Sequence, residues 1–173
     1  MTLKKALGWT CFGMLSLILA VPASAQEGTR GKAEMKAGAG AITVDYGRPS
    51  LKGRDMLSQL QEGAFWRMGM NQATVLTTPV DLSFGATRVA KGAYSLWLKK
   101  TGDAFQLVFN SQTGQWGTQH DPAKDVVSVA MTKAALAGPV ETFTIDLTPA
   151  TNGGAFALSW GATKLSAAFD AGK

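Results

Sequence analysis

Arg48, Lys52 and Arg54 stand close together in the stretch Tyr46-Gly-Arg-Pro-Ser-Leu-Lys-Gly-Arg-Asp55, with Gly47, Pro49 and Gly53 between them. Proline fixes its own φ and pushes the preceding residue toward extended geometry, so the Arg48 side chain leaves the chain in a defined direction. Glycine permits turns that other residues resist. A guanidinium held in this way suits a carboxylate, a phosphate or a sugar, because its planar fork offers paired donors. The competing reading makes Arg48 and Arg54 struts, paired with Asp45, Asp55 or loop carbonyls.

Two further segments carry chemistry. Phe65-Trp-Arg-Met-Gly-Met-Asn-Gln-Ala-Thr74 sets Trp66, Arg67 and Asn71 together without a clear period. That mixture can stack on a polar ring and hydrogen-bond to it; Trp66 can equally plug the end of a β core. The third segment, 110–125, holds Trp116 between Gly114 and Gly117, then His120 followed by Asp121. It is long for a strand connection, and long ordered loops tend to carry function. His120 with Asp121 or Asp45 would make an acid/base pair, although adjacent residues on an extended chain point apart. If the segments form one site, Arg48 and Arg67 face a shared open space with Asn71 and Trp66 on its wall. The candidate ligand-binding set is therefore Arg48, Lys52, Arg54, Trp66, Arg67, Asn71, Trp116 and His120; no catalytic residue is assigned.

Missing motifs narrow the chemistry. The chain has no Gly-x-Ser-x-Gly elbow, no His-Glu-x-x-His, no Walker loop and no Gly-x-Gly-x-x-Gly. With one histidine, a multi-histidine metal site is excluded. No metal and no cofactor is expected.

The elements that must position these residues read as strands. Ile42, Val44 and Tyr46 alternate with polar neighbours, as do Phe105, Leu107 and Phe109, then Phe143, Ile145 and Leu147, then Phe156, Leu158 and Trp160. Tyr94, Leu96 and Leu98 follow the same rule, with Trp97 an exception on the second face. Turn signals such as Gly38-Ala-Gly40, Thr101-Gly-Asp103 and Asn152-Gly-Gly154 separate the runs. The pattern predicts an all-β fold, an antiparallel β-sandwich of jelly-roll or immunoglobulin-like type. One short helix is expected near 55–61, capped by Asp55. The runs are shorter than the roughly 9–11 alternating residues of an outer-membrane barrel strand, which argues against that fold.

The N-terminus reads as an address. Lys4 and Lys5 precede an apolar run and Ala23-Ser24-Ala25, a small-x-small cleavage pattern, so residues 1–25 are expected to be a cleaved signal peptide. A flexible leader over 26–32 and a single domain over 33–170 follow. The only cysteine, Cys11, lies within the signal segment, so the mature chain has no disulfide and no thiolate chemistry. The 17 Lys and Arg, less Lys4 and Lys5, stand against 12 Asp and Glu, a mild and scattered excess. Nucleic acid is not an expected partner. A periplasmic or secreted location without a stable membrane anchor is expected.

The ordered combination of "YGRPSLKGRDML", "FWRMGMNQAT", "AKGAYSLWL", "LVFNSQTGQWG" and "LSWGATKLS" resembles the bacterial family catalogued as domain of unknown function 2911. The resemblance runs from about Ala33 to Phe169 and implies an exported, β-rich domain without naming a reaction. It falls on Arg48, Lys52, Arg54, Trp66, Arg67, Asn71 and Trp116, among others. It also implies a glutamate where this chain has Gln72, a change that a binding role survives better than catalysis does. The leading expectation is a protein that binds a small polar or anionic ligand. The alternatives are a hydrolase or lyase using His120 with a nearby aspartate, and an envelope assembly protein whose basic loop contacts a protein partner.

Overall fold

The computed structural model describes residues 30–172, so the expected signal peptide lies outside the described residues. Ten strands follow in chain order: β1 (Arg30–Ala37), β2 (Gly40–Gly47), β3 (Phe65–Trp66), β4 (Thr74–Thr78), β5 (Leu82–Phe84), β6 (Thr87–Val89), β7 (Gly92–Thr101), β8 (Ala104–Asn110), β9 (Asp125–Ala150) and β10 (Gly153–Ala171). They form one antiparallel sheet in the order β1-β2-β4-β7-β8-β9-β10-β5-β6, with β3 added to β7. The all-β antiparallel architecture is as the alternation predicts. Its layers belong to one continuous sheet that does not close.

Residues from both ends of the sheet meet in one core. Ile42 and Val44 of β2, Leu96 and Leu98 of β7, Leu107 and Phe109 of β8, Phe143 and Ile145 of β9, and Phe156 and Leu158 of β10 are all buried there. The alternation of the sequence thus becomes one apolar face per strand, which must turn inward to leave water. Strand β9 makes this possible by its length. Its first part pairs with β8, from Asp125 to Met131, and its later part pairs with β10. The β9–β10 register shifts between Gly161↔Val140 and Thr163↔Ala135, where the connecting residues of β9 bulge out.

Two sequence expectations change here. Arg30, Gly31 and Lys32, read as leader, are strand residues paired with Gly47, Tyr46 and Asp45. The ladder and the Arg30–Asp45 ion pair hold them. The expected helix at 55–61 is a single turn. Asp55 Oδ1 accepts from the Ser58 N–H at 3.1 Å, and one Gln59 N–H to Asp55 carbonyl bond follows at 3.3 Å. Only Leu57 of this segment is buried, too little apolar area to extend a helix against its nucleation cost.

Strand β7 has an unusual burial pattern, with Tyr94 through Leu98 buried on both faces. Tyr94, Leu96 and Leu98 join the main core, whereas Ser95 and Trp97 lie on the opposite face. There Trp97 Nε1 donates to Ser95 Oγ at 3.1 Å, and Gln115 Nε2 donates to the same oxygen at 2.9 Å. The long segment after β8 therefore folds back over β7, and Trp97 breaks the alternation because that loop covers it.

A cleft and a basic notch beside strand 7

Segments 65–74 and 110–125 are joined by backbone. An isolated bridge pairs Gln72 with Trp116. The Ala73 N–H donates to the Gln115 carbonyl at 3.1 Å, and the Gly117 N–H donates to the Asn71 carbonyl at 2.8 Å. Gly117 is required by this approach: a Cβ there would lie 2.7 Å from the Asn71 oxygen and closer still to Arg67 Cδ. Segment 46–55 meets segment 65–74 through a similar contact, since a Cβ on Gly47 would lie 2.7 Å from the Met70 nitrogen.

Between segments 65–74 and 110–125 opens a cleft of about 380 Å³, lined by Met56, Phe65, Trp66, Arg67, Trp97, Gly117, Thr118 and His120. Trp66 serves core and cleft together. Its ring stacks on Trp160 with centroids 5.3 Å apart and meets the edge of Phe143 at 5.1 Å. Arg67 is part-buried, and its Nε donates to the Gly69 carbonyl at 3.2 Å, which fixes the guanidinium near the wall. His120 is clamped between Phe65, at a centroid distance of 4.2 Å, and Trp97, at 4.6 Å.

The aspartate that pairs with His120 is neither of those expected. His120 Nε2 lies 2.8 Å from Asp125 Oδ1, and the same oxygen accepts from Asn110 Nδ2 at 2.8 Å. Asp121 instead caps the 3-10 turn Pro122–Lys124 through the Ala123 N–H, and Asp45 is engaged by Arg30. The reason is local. The Asp121-Pro122 turn reverses the chain, so position 125 returns to position 120 while position 121 points away. Asp125, Asn110, Phe65, Trp97 and Thr118 were missed as site residues. The Asp121-Pro122 turn just before the strand that begins at Asp125 was the available signal for Asp125.

Arg48, Lys52 and Arg54 form a separate notch of about 290 Å³ with Pro49, Ser50 and Met70. The shared Arg48–Arg67 space is therefore not what forms; the two arginines line different depressions, one walled by Met70 and the other by Arg67 of the same segment. Asn71 and Trp116 line neither. They tie the loops together, with Trp116 45% exposed beside the cleft. The strut expectation fails for Arg48 and Arg54, whose side chains make no hydrogen bond or ion pair among the described residues.

Non-glycine residues with positive φ are three among the described residues: Lys52 at 48°, Met68 at 50° and Asn71 at 63°. All lie in the two segments that form the notch and the cleft. Such geometry costs on the order of 1–3 kcal/mol per residue and gathers at functional sites.

No curated protein and no solved structure matches this chain. The family described as "Protein of unknown function (DUF2911)" matches residues 29–169. Carried by nearly all of the folded domain, that match makes the chain a member of the DUF2911 family.

Proposed function

We propose that this protein binds a small, ring-bearing anionic ligand in the cleft between segments 65–74 and 110–125. The observation that carries the reading is the composition of the cleft wall, where Arg67 stands among Phe65, Trp66, Trp97 and His120. A planar cation with aromatic faces beside it matches a carboxylate or phosphate attached to a flat or sugar ring. Met56 and Trp116, two of the three exposed large apolar side chains among the described residues, lie at or beside this cleft. The strained backbone at Met68 and Asn71 supports the same reading, since it directly follows Arg67 in the segment that forms the cleft wall.

Thermal-shift screening of the protein against aromatic carboxylates, sugar acids and sugar phosphates tests this. A hit should raise the melting temperature of the wild type and not that of Arg67→Ala. If no member of these classes stabilises the wild type, or Arg67→Ala responds equally, the reading fails. Export belongs to the same proposal, supported by Lys4, Lys5 and Ala23-Ser24-Ala25. Mass spectrometry of the natural protein should find Gln26 at its N-terminus.

The His120–Asp125 pair favours a second reading, general-base catalysis on the bound ligand. If Nε2–H donates to the carboxylate, Nδ1 is left as an acceptor on a ring that lines the cleft and is held on both faces. In a hydrolysis it would take a proton from water as the hydroxyl oxygen attacks the ester carbon, then return it to the departing alkoxide. Assays of the ligand classes above, presented as esters, should show turnover that falls about a hundredfold or more in Asp125→Asn. Absence of turnover by the wild type removes this reading and leaves binding.

A further inference from the structure

The basic notch has features that the cleft does not explain. Leu51, Lys52, Gly53 and Arg54 form a tight turn closed by the Arg54 N–H to Leu51 carbonyl bond at 3.0 Å. Lys52 and Gly53, its central residues, have φ of 48° and 74°, the signature of a type I′ turn. That turn favours Asn, Asp or Gly at its first central position, and lysine there is strained. The loop is also pinned to β9 at several points. The Leu51 N–H donates to the Glu141 carbonyl at 2.8 Å, and the Phe143 N–H donates to the Pro49 carbonyl at 2.9 Å. The Lys52 N–H donates to Glu141 Oε1 at 3.1 Å. A strained lysine and two arginines are thus held together on a fixed loop, and none of the three side chains has a partner among the described residues.

Like charges gathered on a rigid loop repel one another, and an anion seated between them relieves that repulsion. The neighbouring acids do not do so. Asp55 is used by the Ser58 N–H, and the Glu141 carboxylate is used by the loop backbone. We propose that Arg48, Lys52 and Arg54 form a second binding site, separate from the aromatic cleft, for a tetrahedral oxyanion such as a phosphate group. Arg48 offers a guanidinium fork, while Lys52 contributes a point charge from the turn. A soluble molecule and a lipid headgroup can each carry such a group, and the chemistry of recognition is the same.

The test uses calorimetric titration of the full chain with inorganic pyrophosphate at low salt, comparing wild type, Lys52→Asn, Arg48→Lys and Arg67→Ala. Lys52→Asn suits the turn, so it should fold with an equal or higher melting temperature and yet bind roughly ten- to a hundredfold more weakly. Arg48→Lys keeps the charge and should also weaken binding, whereas Arg67→Ala should leave it unchanged. Flotation with vesicles of phosphatidylglycerol or phosphatidylcholine separates the sources. Capture by the anionic vesicles alone, lost in Lys52→Asn, identifies a headgroup; pyrophosphate binding without capture identifies a soluble ligand. Absence of both binding and capture, or wild-type affinity in Lys52→Asn and Arg48→Lys, overturns the proposal. So does binding that only Arg67→Ala abolishes, which would place the anion in the cleft and leave the reading of the cleft intact.

Discussion

Gly117 shows how much a side chain's absence can decide. Arg67 reaches the cleft through the space a Cβ at 117 would fill, and the Gly117 N–H holds segment 65–74 through the Asn71 carbonyl. Gly117→Ala should displace Arg67 and weaken a cleft ligand by about tenfold, or ~1.4 kcal/mol, in the titration that defines that ligand. A second residue-scale expectation concerns Asp81. The Arg88 guanidinium, and next the Lys91 N–H at 2.7 Å, hold its carboxyl below the ordinary value of 3.8. A depressed folded value stabilises the β5–β6 hairpin above that ordinary value and loses its effect as pH falls through the depressed one. Nuclear magnetic resonance titration should find the Asp81 carboxyl below 3.8 in the wild type and shifted upward in Arg88→Ala.

At the scale of elements, the strands were legible because burying one face of a strand requires alternation, and Phe143, Ile145 and Leu147 carry it plainly. Trp97 was legible only as an exception. Its reason, the cover supplied by Gln115 and the loop around it, is a long-range contact that no local pattern encodes. The same limit hid Asp125, whose partnership with His120 depends on the turn at Asp121-Pro122. The short helix failed for the opposite cause. A good cap at Asp55 and apolar residues at helical spacing were present, but only Leu57 is buried, with Leu60 packed part-exposed against the core. Asp55→Ala should therefore cost less than about 1 kcal/mol in chemical denaturation, since the cap serves one turn rather than a helix.

The whole molecule is organised by β9, which ladders with β8 at one end and with β10 at the other. Pairing of this kind joins residues far apart in sequence, so loop-closure entropy must be met before contacts reward it. Refolding from denaturant should take milliseconds to seconds rather than microseconds. Because β9 belongs to both halves, circular dichroism and tryptophan fluorescence should report one coincident unfolding transition. Separate transitions would mean that the halves are independent units.

The Trp66–Trp160 stack gives the molecule an optical consequence. Two indoles at 5.3 Å and 12° from parallel couple their electronic transitions, and one of them also forms the wall of the cleft. Any ligand that tilts or shields Trp66 alters that coupling without touching Trp160. The protein therefore carries its own label: occupancy of the cleft should be readable as a change in the tryptophan exciton signal and emission of the unmodified chain, with Trp160→Phe silencing the exciton signal while leaving the cleft residues in place.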